Sequence, residues 1–158
     1  FQFCVSHIAN GFSSIRTKMS IKIGDRCPEF KSTLKNGTVI DVKNILGNKH
    51  LVLFFYPKDF TPGCTKEVCS FRDNYEAFQA LNCEVIGVSS DSGESHERFV
   101  ETHKSVQKLF GVPRNLLGLS PGRVTYIIDK SVIVRGIFNS QTDPLGHINK
   151  GLELVKGF

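Results

Sequence analysis

The sequence predicts an α/β fold with a central mixed sheet flanked by helices, and three observations carry that prediction. Leu51 to Tyr56 is a short, unbroken apolar run, the pattern of a strand buried on both faces. It leads through a short loop into a helix on which Val68, Phe71, Tyr75 and Phe78 recur at spacings of three and four. Toward the end, Val124 to Ile128 and Val132 to Phe138 read as strands joined tightly through Asp129-Lys130-Ser131, an antiparallel pair followed by one more helix.

Taken in order, residues 1–20 are free of acids and carry several serines with Arg16 and Lys18, a composition seen in organellar targeting segments. They are expected to be a targeting remnant, for plastid or mitochondrion, or a disordered extension. Translation from Met19 would instead give a cytoplasmic product. The domain is expected over 21–158. Phe30 to Val42 reads as an N-terminal β-hairpin turning at Asn36-Gly37, the preferred type I′ pair. After Pro57 the chain turns at Pro62-Gly63, and Cys64 stands where the next helix begins. Lys66, Glu67, Arg72, Asp73 and Glu76 fall largely on that helix's outer sides. A strand opens at Cys83 and runs to Ser89. A helix begins at the capping spacing Asp91 to Glu94 and continues one stripe through Phe99, His103, Val106 and Phe110. Asp143-Pro144 is a cap with proline at the first helical position. Leu145, Ile148, Leu152 and Val155 give the last helix its buried face, with Gly157 past its end.

Composition narrows the function. A chain of 158 residues, 40% of them hydrophobic, can bury one core, and no segment is long enough to span a bilayer. The net charge of +5 falls to +2 outside residues 1–24, which hold Arg16, Lys18 and Lys22 and no acid. No basic stripe is interleaved with aromatics, so neither nucleic acid nor membrane is an expected partner. Five cysteines, odd in number and sparse, do not form a secreted disulfide framework. No C-x2-C pair exists and the histidines lack ligand spacing, so no metal is expected. Cys27 and Cys83 read as small buried residues, and His147 as a surface or packing residue.

Cys64 carries the chemistry. Unsatisfied N–H groups and the positive end of the dipole at a helix N-terminus favour thiolate over thiol. Thr61 can place a hydroxyl nearby, and Pro62 and Gly63 let the backbone approach. Alone, Cys64 also reads as a small buried apolar residue. Cys69 adds information, because positions five apart on a helix lie ~8.7 Å apart at Cα, beyond the ~7 Å reach of a disulfide. If the two pair, the first helical turn must unwind.

Pro57-x-x-x-Thr61-x-x-Cys64, followed by Cys69 and Ser70-Phe71-Arg72-Asp73, resembles the peroxiredoxin Q group, also called bacterioferritin comigratory proteins. The resemblance continues through Glu84-Val-Ile-Gly-Val-Ser-Ser-Asp91, Ser95-His96-x-x-Phe99, Gly111-Val-Pro113 and Pro121-Gly-Arg123-Val-Thr-Tyr126-Ile-Ile-Asp129. It implies a thioredoxin-like fold of peroxiredoxin type and a thiol peroxidase acting on hydrogen peroxide and organic hydroperoxides. In that reading Cys64 is the peroxidatic cysteine and Cys69 resolves its sulfenic acid. Thr61 contacts the peroxide oxygens, Pro57 shields the sulfur, and Arg123 is the cation beside the thiolate. Thioredoxin or a similar dithiol reduces the disulfide, and no cofactor is bound. Tyr126 reads as core.

One departure stands out. The group carries an additional edge strand and loop that would fall between Lys104 and Ser105, and it is absent here. Without it the strand Glu84 to Ser89 loses a neighbour. The edge would then be covered by the 94–110 helix, by the N-terminal segment or by a second copy, or it would aggregate. The group is monomeric, whereas an open edge predicts self-association and reduced stability. The alternative function is a shortened, non-catalytic isoform acting as a binding or holdase-like protein.

Overall fold

Strand β4, His50–Tyr56, is buried along its whole length and lies in the middle of the sheet. Its alternation assigns the two core layers. Leu51, Leu53 and Phe55 face one side, with Val88, Phe110, Val124 and Tyr126, while Val52, Phe54 and Tyr56 face the other, with Cys64, Phe71, Phe78 and Ile148. The chain is seen in a computed structural model that describes residues 2–4, 20–33, 38–57, 61–89, 106–114 and 122–158.

The other strands are β1 (Gln2–Cys4), β2 (Lys31–Thr33), β3 (Val39–Asp41), β5 (Cys83–Ser89), β6 (Val124–Ile128) and β7 (Val134–Asn139). The main sheet has the order β1-β5-β4-β6-β7. β4 pairs parallel with β5 and antiparallel with β6, which pairs antiparallel with β7, so the sheet is mixed as expected. β2 and β3 form the N-terminal antiparallel pair, and their Asn36-Gly37 turn lies outside the described residues. Helices α1 (Pro62–Asp73), α2 (Tyr75–Ala80) and α3 (Pro144–Lys156) cover the Phe54 face. A helical segment at 106–110 and the β2–β3 pair cover the other.

Several details differ from the sequence reading. The helix expected from Cys64 to Phe78 is two helices, broken at Asn74, whose side-chain amide donates to Ser70 O at 2.8 Å. Strand β7 starts two residues later than expected, because Val132 takes a φ of +68° in the turn that Asp129 closes, accepting from Ile133 N at 3.0 Å. Leu145 is exposed, and His147, Ile148, Gly151 and Val155 form the buried face of α3 instead. The cap itself is as expected, with Asp143 accepting from Gly146 N at 2.9 Å. The expected helix start at Asp91 to Glu94, the positions Phe99 and His103, and the junction of Lys104 with Ser105 lie outside the described residues.

The outer side of β5 is occupied. Gln2, Phe3 and Cys4 pair parallel with Ile86, Gly87 and Val88, so these three residues form a strand and not the disordered extension that was one of the expectations for 1–20. Of the possible covers for that edge, the N-terminal segment is the one seen among the described residues.

Gly87 shows how the sheet supports α1. A Cβ there would come within 2.5 Å of the Phe54 ring, which stacks on Phe71 of α1 with centroids 4.2 Å apart. Gly87→Ala is therefore expected to lower stability by ~1–3 kcal/mol through overpacking. The reading is a lower urea midpoint at unchanged slope, and an unchanged midpoint would show that Phe54 has room to move.

Candidate active site

Helix α1 begins with Thr61 as its N-cap in extended conformation, Pro62 at the first helical position and Gly63 next, so Cys64 sits in the first turn. Proline suits that position because its missing N–H would have been unpaired there. Cys64 is 2% exposed, held by Phe54, Tyr56 and Phe71 in the same core layer. Cys69 lies further along α1, half-buried, and both are free thiols. Pro57 ends β4 at the mouth of the loop to Thr61, and both prolyl and threonyl side chains are half-buried.

Arg123 reaches this turn from across the sheet. Its segment is fixed just before β6 by Gly122, which donates its N–H to Pro113 O at 2.6 Å. Arg123 is 4% exposed, and its guanidinium donates from Nη2 to Cys64 Sγ at 3.3 Å and lies 3.5 Å from Gly63 O through Nη1. A Cβ on Gly63 would stand 3.3 Å from Nη2, so the absent side chain is what lets the fork lie against the turn. A guanidinium at this distance stabilises thiolate and can hold a developing oxyanion.

Sequence reasoning missed two residues behind Arg123. Glu67, assigned to an outer side of the helix, is fully buried and accepts from Arg123 Nη1 through Oε2. Burial pushes its carboxyl up to about 8, against the pull of Arg123. A charged residue three positions after a buried cysteine and four before a buried phenylalanine shares their face, and that spacing was the available signal. His147, on α3, is also fully buried. Its Nε2 lies 2.9 Å from Ser140 O and so donates, leaving Nδ1 to accept from Thr125 Oγ1 at 2.8 Å. Burial pulls the imidazole down to about 4.

The remaining described thiols are poor candidates for this chemistry. Burial pushes both Cys27 and Cys83 up to about 12. Cys64 and Arg123 are brought together, Thr61 and Pro57 flank the same turn, and Cys69 is left apart on the helix.

Comparison with known proteins gives the family. The AhpC/TSA family model matches residues 23–137. The chain belongs to the AhpC/TSA family. Within it, the chain falls in the peroxiredoxin Q group. The chloroplastic peroxiredoxin Q of Sedum lineare is 40% identical over 144 positions, covering 84% of this chain and 77% of its own. Peroxidoxin BcpB from Mycobacterium tuberculosis superposes with a TM-score of 0.72 at 31% identity, covering 87% of this chain and 98% of its own. A Xylella fastidiosa PrxQ structure gives 0.71 at 26% identity, with 87% and 96% covered. As a peroxiredoxin of this group the chain is a thiol-dependent peroxidase, an oxidoreductase with the thioredoxin-like fold.

Proposed function

We propose that this peroxiredoxin reduces hydrogen peroxide and organic hydroperoxides through Cys64, with Cys69 as resolving cysteine and thioredoxin or a similar dithiol as reductant. The observation that carries the reading is the buried Arg123 Nη2 at 3.3 Å from Cys64 Sγ in the first turn of α1. The thiolate attacks one peroxide oxygen, an S–O bond forms and the O–O bond breaks. The leaving oxygen takes a proton and departs as water or alcohol, and Cys64 becomes sulfenic acid. The Thr61 hydroxyl binds the peroxide oxygens and Pro57 keeps bulk water from the sulfur. Cys69 then attacks the Cys64 sulfur, an S–S bond forms and water leaves. A dithiol restores both thiols by exchange and is itself oxidised. The non-catalytic, holdase-like reading has no observation in its favour.

The Cys64 to Cys69 bond requires α1 to unwind, since helix geometry holds the two ~8.7 Å apart at Cα. Oxidation with stoichiometric peroxide is expected to consume the Cys64 and Cys69 thiols and link them in peptide maps. Amide exchange should rise from Cys64 to about Arg72. Flat exchange, or Cys69 linked to Cys27 or Cys83, would contradict the pairing.

A further inference from the structure

The stretch between Cys64 and Cys69 is anchored in the core by a carboxyl. Of its four residues Thr65 and Lys66 are exposed, Val68 is half-buried against the Phe54 face of the sheet, and Glu67 alone is fully buried. Glu67 Oε2 accepts from Arg123 Nη1, while Nη2 of the same guanidinium donates to Cys64 Sγ, so one side chain pins both the sulfur and the turn behind it. The anchor is only half made. Glu67 Oε1 is buried without a hydrogen-bond partner among the described residues, and the nearby His147 Nδ1, 3.7 Å away, is already taken by the Thr125 hydroxyl. A buried acceptor with nothing to accept costs free energy that water would return.

We propose that Glu67 is a redox-operated latch on the resolving segment: seated on Arg123 in the reduced enzyme, it is withdrawn into solvent when Cys64 and Cys69 join, and it reseats on reduction. This rests on the Cys64 to Cys69 pairing proposed above. Bringing the two sulfurs within disulfide reach takes residues 64–69 out of helical geometry, and the seat of Glu67 on Arg123 is set by those same turns. An apolar side chain at this position would resist release, because exposing it loses buried apolar area. A carboxyl is readily taken up by water. The seated latch holds Cys64 beside Arg123 for attack on peroxide. Once the sulfur is a sulfenic acid, Arg123 no longer faces a thiolate, and release of Glu67 lets Cys69 approach. The bond changes are those already given, with the sulfenic oxygen leaving as water when the S–S bond forms.

The test uses the full chain and labels its carboxyls with a carbodiimide and an amine, the labelled positions being read by mass spectrometry. Glu67 should be protected in the reduced chain, like the buried Glu84, and should label like the exposed Glu76 after stoichiometric peroxide. Protection should return on adding a dithiol, while Glu84 and Glu76 stay as they were. In Cys64→Ser, peroxide should leave Glu67 protected. Glu67→Ala should speed formation of the Cys64 to Cys69 bond from the sulfenic acid by about tenfold, the worth of one hydrogen bond to a charged group. Glu67 still protected in a chain whose peptide map contains the Cys64 to Cys69 link overturns the latch. So does labelling of Glu67 in the reduced chain, or an unchanged resolving rate in Glu67→Ala. Failure of the pairing itself would show separately, as a map without the link, and would remove the latch with it.

Discussion

Cys64→Ser is expected to abolish peroxide reduction, while Cys69→Ser keeps the first turnover and loses cycling with a thioredoxin-type reductant. The asymmetry comes from where the two sulfurs sit. Cys64 has the first-turn N–H groups of α1 and the Arg123 guanidinium 3.3 Å away, both of which favour the attacking thiolate. Cys69 lies beyond that turn and is half-buried on the same helix. Cys27 and Cys83 cannot substitute for Cys64, because burial holds both thiols near 12 and leaves almost no thiolate at neutral pH. A single-turnover measurement followed by steady-state cycling separates the two roles, and equal loss of the first turnover in both variants would refute them.

Arg123→Ala should slow the peroxide step by ~10²-fold or more, the scale of removing one donor from a charge-stabilising site. Removing the partner of a buried charge usually costs ~3–5 kcal/mol of stability. Here the loss should be nearer ~1–2 kcal/mol, the cost of hydrogen bonds. Burial already lifts Glu67 to about 8, and without the downward pull of Arg123 the carboxyl simply stays protonated at neutral pH. Rate and stability should therefore part company. Arg123→Lys keeps a charge without the fork that spans Cys64, Gly63 and Glu67, so its rate should fall between parent and alanine. An unchanged rate in Arg123→Ala would make Arg123 a bystander.

The elements most legible in the sequence were those whose pattern is set by burial alone. The unbroken run Leu51 to Tyr56 could only be central, and it is. Asp143-Pro144 marked a helix start because cap chemistry is local, and Asp143 does cap α3. Less legible was any residue whose neighbours come from far along the chain. Glu67 carries a charge, and a charge on an amphipathic helix is ordinarily assigned to water; its burial depends on Arg123, fifty-six residues away. Apolarity alone favours Leu145 over His147 for the buried face of α3, and it is Thr125 and Ser140, both distant from the cap pattern, that make the burial of His147 tolerable. The cover on β5 was legible as a need but not as a choice, since parallel pairing of Gln2–Cys4 with Ile86 to Val88 leaves no local pattern.

The break at Asn74 bears on the redox couple itself. Phe71 is fully buried, stacked on Phe54 and against Phe78 at 5.9 Å, so the C-terminal end of α1 stays docked whatever happens at its start. In the proposed cycle the stretch before Phe71 unwinds on oxidation, which frees amides as far as about Arg72 because each bonds four residues back, and α2 is not drawn in. Reduction then regains that stretch of helix together with the Arg123 contact to Cys64, and this refolding adds directly to the driving force for reduction. At ~30 mV for every ~1.4 kcal/mol, the disulfide is made more oxidising in proportion to the stability of the first turns of α1. In the proposed cycle helix stability would thus be a setting of the reduction potential, adjustable by substitutions at exposed positions such as Thr65 and Lys66.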